Sequence, residues 1–403
     1  MEENKKEQTG NSVHVLRMSS YTAPPVVENT RGEWVEYGDD NNYFQYLIDR
    51  YNGSPTNNAA VNGISEMIYG RGLEATNSEE SPEAYASMRE LFQKDCMKKI
   101  CYDYKMMGQA ALQIIYSKDH SRIVQVEHIP IETLRAEKAT LGNVKGYYYH
   151  PNWQEIKRDE KPKRISAFGT SKDGIEIMYI RPYKAGFYYY SPVDYQGGLQ
   201  YAELEEEIAN YHINNIQNGL QPSMLINFNN GTPSKEQRDD IERAIYEKFS
   251  GTSNAGRFIL AFNDSKELAA SIEPVVLNDA HQQYQFLSDE SMKKVMVSHR
   301  IVSPMLVGIK DNSGLGNNAQ ELETASLLMD NTVIRPMQVT IIDGLEKILE
   351  YNEIDLDLYF QTLQPLEFTD LTNALTDAEV EKETGVKPSQ VQKEQDINEE
   401  IEE

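Results

Sequence analysis

Apolar residues recur at helical spacing from residue 43, which predicts a short helix over Tyr43 to Tyr51 with Phe44, Leu47 and Ile48 on one face. A turn over Gly38 to Asn42, rich in capping residue types, precedes it. A second helix is predicted over Asn57 to Tyr69, where Val61, Ile64, Met67 and Ile68 are apolar and Gly70 and Gly72 end the pattern. A third is predicted over residues 82–108, opened by Pro82 in its first turn. The period then changes to two. Leu112, Ile114 and Tyr116, then Ile123, Val124 and Val126, read as paired strands around a turn at Lys118 to Ser121. Tyr147 to Tyr149 and Phe187 to Tyr190 read as aromatic strands, with a charged turn at Lys157 to Arg164. Residues 34–198 therefore read as a mixed α+β body.

After a turn-rich break at 191–200 the chain turns helical over 199–219. Leu204, Ile208 and Ile216 form one apolar stripe, and Glu203, Glu205, Glu206 and Glu207 sit toward the end where helix polarity favours acids. Residues 220–278 read as a compact β-α-β-β unit, its helix opened by a capping box of Ser234 and Gln237. A long helix over 279–302 follows, with Phe286, Leu287, Val295 and Met296 apolar. A loop over 303–318 holds Pro304, Gly308, Gly314 and Gly316. The last predicted helix spans 319–351. Pro336 lies inside it, removes a backbone donor and crowds the preceding turn, so a kink is expected there. Residues 352–403 read as a short cap or an acidic tail, with lysines beyond residue 366 only at Lys382, Lys387 and Lys393. Residues 1–33 are polar and read as a flexible arm.

Composition narrows the function. The 403 residues suffice for more than one domain with a real core. No apolar run reaches the roughly 18 residues that span a bilayer, and the opening residues lack the apolar core of a signal peptide, so a cytoplasmic protein is expected. Cys96 and Cys101 read as core thiols. The formal net charge of −25 argues against binding nucleic acid through the bulk surface, yet suits a wall past which phosphates slide. Catalytic signals are thin. The seven histidines, His14, His120, His128, His150, His212, His281 and His299, show no metal-ligand spacing. Gly314, Gly316 and Ala319 match a dinucleotide turn in letters, but no strand leads in and none follows the long helix. Glu203 with Glu207, and Asp239 with Glu242, are carboxylate pairs of the kind common on exposed helices. No catalytic, cofactor or metal residue is assigned, and no enzyme is expected. The tyrosine runs read as core or subunit-contact residues.

Four stretches, in their order, carry a resemblance. They are Trp34 to Leu73; Met106 to Tyr116 with Val126 to Ala136; Asn218 to Phe262; and His299 to Leu349. Together they resemble the portal proteins of tailed bacteriophages, in the compact single-chain, siphovirus-like form. The resemblance implies an α+β portal fold: wing (34–198), stem helix (199–219), a small α/β clip (220–278), second stem helix (279–302), tunnel loop (303–318), kinked tunnel helix (319–351) and crown (352–403). Val302-Ser303-Pro304 departs from the Val-Pro-Pro that such portals often carry, and the acidic tail replaces a helical crown.

The resemblance also implies a dodecameric ring at one vertex of a virion capsid, assembled in the host cytoplasm. Double-stranded DNA would be packaged and ejected through its channel without sequence preference. The implied partners are the major capsid protein, the large terminase and then the head–tail connector. Lys310, Asp311, Asn312, Ser313, Leu315, Asn317 and Asn318 are expected to border the lumen. Arg238, Arg243 and Lys248 are expected on the docking surface. The apolar stripes of the two stem helices are expected to meet neighbouring subunits. A helix of 279–302 would be about 36 Å long at about 1.5 Å per residue. The competing readings are another head–tail connector ring protein, which would lack the long helices flanking 303–318, and an acidic cytoplasmic hydrolase, which would need a convergent carboxylate site.

Overall fold

The computed structural model describes residues 25–30, 32–157, 160–171, 174–217, 224–228, 240, 258–262, 280–309 and 318–363. Its centre is a six-stranded sheet. After three short strands outside it, β1 (Glu28–Asn29), β2 (Glu36–Tyr37) and β3 (Leu73–Ala75), its strands are β4 (Ala110–Tyr116), β5 (Ile123–His128), β6 (Leu134–Ala136), β7 (Gly146–Tyr149), β8 (Lys163–Ala167) and β9 (Ile175–Ile180). Their order is β5-β4-β9-β8-β7-β6. Neighbours are antiparallel except β8 and β9, which run parallel. β4 is buried on both faces, as suits a strand inside a sheet covered on both sides. Leu112, Ile114, Met178 and Ile180 point into one apolar cluster, while Ala111, Ile177, Tyr147 and Ile165 point into another.

Helices cover this sheet. They are α1 (Tyr43–Gly53), α2 (Pro55–Tyr69), α3 (Pro82–Leu91) and α4 (Lys94–Met107). The residues expected as one helix over 82–108 form two. The backbone leaves the helix at Phe92, which is buried among Met88, Leu91 and Met97, and restarts after an extended Gln93. α2 starts two residues before its apolar pattern, because Ser54 caps it through the Asn57 N–H at 3.1 Å and Pro55 occupies the first turn. The capping residues ahead of α1 make a 3-10 turn, Asp39–Asn41, and Asn42 offers no side-chain cap. Gly108 ends α4 in the left-handed region at φ +75°, where a Cβ would meet the Ser191 carbonyl at 2.7 Å. Both cysteines are buried and free.

The aromatic run at 187–190 is not a strand. It is a turn-rich segment whose Tyr190 is fully buried and bridges the Val35 carbonyl and the Ala136 N–H. An extended backbone is not needed to bury a tyrosine whose hydroxyl finds backbone partners.

Two long helices follow, α5 (Leu199–Gln217) and α6 (Ala280–Ser298). Between them β10 (Met224–Phe228) and β11 (Phe258–Phe262) pair in parallel. The expected clip helix and its third strand lie outside the described residues. α6 is shorter than the 279–302 expectation, about 28 Å at about 1.5 Å per residue. It ends at Ser298, and Arg300 just beyond takes a left-handed φ of +58°.

The last helical run passes from α7 (Asn318–Met329) through a π-helical turn (Asp330–Ile334) into α8 (Arg335–Tyr351). The irregularity expected at Pro336 takes this form. The Arg335 N–H donates to the Asp330 carbonyl, one residue beyond α-helical reach, and Pro336 then sits in the first turn of α8. α8 lies in the body core, with Ile341, Leu345 and Ile348 fully buried and Gly344 against Ile180. The described residues continue past it. Leu358–Phe360, read from the sequence as part of a tail, form a strand antiparallel to Leu73–Ala75. Among the described residues no helix is long and apolar enough to cross a membrane.

Candidate functional site

The helix pair and its junction with the body form the most distinctive region. α5 and α6 run antiparallel. Gly198, just ahead of α5, lies against Ser298 at the end of α6, while Tyr211 farther along α5 stacks on Tyr284 at 4.4 Å between ring centroids. Two sets of polar contacts fix this pair to the body.

The first set uses the acidic run of α5. Glu205 accepts hydrogen bonds from the Ser54 hydroxyl, from the Thr56 hydroxyl at 2.7 Å and from the Thr56 N–H at 3.3 Å. This places a carboxylate at the N-terminus of α2, where unpaired amides and the helix dipole favour negative charge. Arg50 of α1 reaches Glu203 at 3.5 Å and Glu206 at 3.0 Å. The sequence reading gave these glutamates to the dipole of their own helix. The structure makes them ties to two other helices.

The second set surrounds the end of α6. His299 is fully buried, its Nε2 lies 2.9 Å from Asn57 Oδ1, and its ring stacks on Tyr195 at 4.1 Å. Burial, with Lys105 nearby, holds its pKa well below the ordinary imidazole value. Lys105 of α4 is also buried and donates to both oxygens of Asp194, at 2.8 and 3.1 Å. Burial pulls its pKa down, against the pull of Asp194 in the other direction. Arg300 lies 3.7 Å from the same carboxylate. The Tyr195 hydroxyl donates to the Met106 carbonyl at 2.8 Å. Beyond this junction Val307 rests against Gly63 of α2 and keeps the chain close to the body.

Away from the junction the helices expose apolar side chains. Ile213 and Ile216 project from α5, the latter 73% exposed. Phe286 and Val297 of α6 are 66% and 70% exposed, and Leu327 and Leu328 of α7 are exposed as well. The expected stripe of α5 is therefore split: Ile208 is buried and Ile216 faces outward. On α6, Val295 and Met296 are buried and Phe286 is not.

Of the residues expected to function, Lys310, Asp311, Asn312, Ser313, Leu315 and Asn317 lie outside the described residues, as do Arg238, Arg243 and Lys248. Asn318 opens α7, and Pro336 follows the π-turn. Sequence reasoning missed the junction residues Arg50, Lys105, Asp194 and Arg300. Ser54 followed by Pro55 was a readable capping signal. Nothing in the sequence marked Lys105, since one lysine on a helix usually meets solvent. Among the described residues no group of histidine, cysteine or acidic side chains could hold a metal ion.

No protein-family model matches the chain. Two uncharacterized proteins show partial similarity: one from Rickettsia bellii, 22% identical over 195 residues, 47% of this chain and 48% of that protein; and one from Rickettsia felis, 26% identical over 171 residues, 40% and 42%. The matches thus span about half the length of these curated relatives. Among solved structures, a chain in the neck of an empty gene transfer agent particle, computed with C6 symmetry, superposes with a TM-score of 0.54 at 15% identity, over 85% of this chain and 89% of that one. A chain in the native particle's neck, computed with C12 symmetry, gives 0.53 at 14% identity over the same shares. An HK97-family phage portal protein from Corynebacterium diphtheriae superposes less closely, with a TM-score of 0.47 at 12% identity over 77% of this chain and 93% of that one. The α+β fold expected from the sequence is shared with the neck chains.

Proposed function

We propose that this chain is a portal subunit: copies close into a ring at one capsid vertex, and double-stranded DNA enters and leaves through the channel. The observation that carries the reading is the apolar surface on both stem helices of one copy. Phe286 and Val297 on α6 and Ile213 and Ile216 on α5 are apolar side chains left exposed on two helices. A contact between unlike surfaces of two copies is heterologous, and repeated contacts of this kind form a ring where the rotation closes. The shared fold with chains from particle necks of C6 and C12 symmetry supports the same reading. In this role the protein is structural, and packaging energy comes from a separate motor.

The test is assembly. Ile213→Asp with Val297→Asp puts charge into the apolar contact, and is expected to convert rings to single copies while leaving the thermal midpoint of the subunit near wild type. Rings that persist in this variant would overturn the stem contact.

Within this reading Lys310, Asp311, Asn312, Ser313, Leu315, Asn317 and Asn318 border the lumen, and Arg238, Arg243 and Lys248 meet the large terminase and then the connector. The major capsid protein surrounds the ring, and the assembled site is the virion. Lys310→Glu, or Gly314→Ala with Gly316→Ala, is expected to lower packaged DNA per particle. Unchanged packaging in both would remove the loop from the mechanism.

A further inference from the structure

Beside the end of α6 lies a cavity of about 270 Å³. Its walls come from five parts of the chain: the end of α4 with Tyr104, the segment after β9 with Lys184, the approach to α5 with Asp194, the exit of α6 with Arg300, and the start of α8 with Thr340. Its volume lies below the roughly 300 to 1,000 Å³ usual for larger organic ligands, so it suits a small group.

The charge balance around it is unusual for this chain. Asp194 is the one carboxylate among the wall residues, and Lys105, buried behind it, donates to both of its oxygens. Two further cations line the cavity. Arg300 is half-exposed and stays 3.7 Å from Asp194, beyond hydrogen-bond reach, so its planar fork keeps donors for another acceptor. Among the described residues the Lys184 ammonium has no carboxylate partner. Counting Lys105, Lys184 and Arg300 against Asp194 leaves this spot positive on a protein of formal charge −25. The Tyr104 and Thr340 hydroxyls add polar lining, and burial keeps Tyr104 in its neutral, donating form, its pKa raised to about 12. Arg300 holds this place with a left-handed backbone, an arrangement that needs outside support in a non-glycine residue.

We propose that this cavity binds a phosphate group, with the Arg300 guanidinium and the Lys184 ammonium as its two cationic contacts. A guanidinium fork and an ammonium point charge are the cationic side-chain groups that bind phosphate oxygens most strongly. The chemistry is the same for free phosphate and for a nucleic-acid backbone, and the experiment separates the sources. The proposal does not depend on ring closure, because every wall residue belongs to one copy.

The full chain is titrated with inorganic phosphate against sodium chloride of equal ionic strength, followed by phosphorus-31 line width and by thermal unfolding. Saturable binding is expected. Its Kd should rise at least tenfold in Lys184→Gln with Arg300→Gln, and stay within about threefold in Arg300→Lys. Lys184→Gln alone leaves the strained Arg300 backbone untouched and should still weaken binding severalfold. A phosphate response equal in wild type and the double variant would be a bulk salt effect and would overturn the site, as would no saturable response at all. A labelled 12-base-pair duplex at low salt identifies the source. Duplex binding lost in the double variant assigns the pocket to a DNA backbone; phosphate binding without duplex binding assigns it to the free anion.

Discussion

His299 is a buried imidazole held between an amide and a tyrosine ring, and its chemistry at this point is set by solvent exclusion. Its folded pKa is depressed, so the unfolded chain takes up the proton first as the pH falls. The neutral group therefore contributes fully above the unfolded value of about 6.5, and its contribution declines below that until the folded pKa is reached. Wild type should lose about 1.4 kcal/mol of stability per pH unit from this one residue below about pH 6. His299→Gln, which keeps an amide donor for Asn57, should flatten the slope between pH 6 and pH 5 when both are unfolded in urea at each pH. Equal slopes would show that His299 is not the titrating group. The Lys105 and Asp194 pair beside it follows the rule for buried charge, in which removing one partner costs more than the pair contributes. Asp194→Ala strands a fully buried ammonium and is expected to cost about 3 to 5 kcal/mol, read from the urea midpoint.

At the scale of elements, the close approach of α5 to α6 depends on Gly198. A Cβ there would sit 2.6 Å from Ser298 Cβ. Gly198→Ala is expected to destabilise the chain by about 1 to 3 kcal/mol, and Ser298→Gly in the same chain should recover much of it. No recovery would mean that the helices are held apart by other contacts. Element ends marked by local chemistry were legible in the sequence. Gly70 and Pro82 end and open helices through backbone geometry that few other residues match, and the hairpin of β4 and β5 followed from its period and turn. What depended on partners far along the chain was not legible. Nothing near Phe92 announces that burying its ring outweighs continuing the helix. Nothing near Leu358 announces an edge to pair with at Leu73, since strand pairing is settled by what else is present. The junction stayed hidden for the same reason: Lys105 and Asp194 are 89 residues apart, and each taken alone looks like a surface charge. The π-turn ahead of Pro336 shows the opposite case, where a local rule gave the place of an irregularity and the surrounding packing gave its form.

For the whole molecule, α5 and α6 are tied to the sheet body at their junction, yet Ile216, Phe286 and Val297 stay exposed in the single copy. Burying each such side chain is worth about 1.5 to 3 kcal/mol, so association offers a gain that the single copy lacks. The acidic net charge keeps separate copies soluble and sets a repulsion that the apolar contact must exceed, so rings should form more readily at higher salt. The measurement that tests this most directly is native mass spectrometry of the full chain, with negative-stain images of the same sample at low and high salt. On the proposed portal reading, closed rings of about twelve copies with a central hole are expected. A compact single copy at every salt and protein concentration, stabilised by a divalent metal, would contradict the portal reading and return attention to the carboxylates.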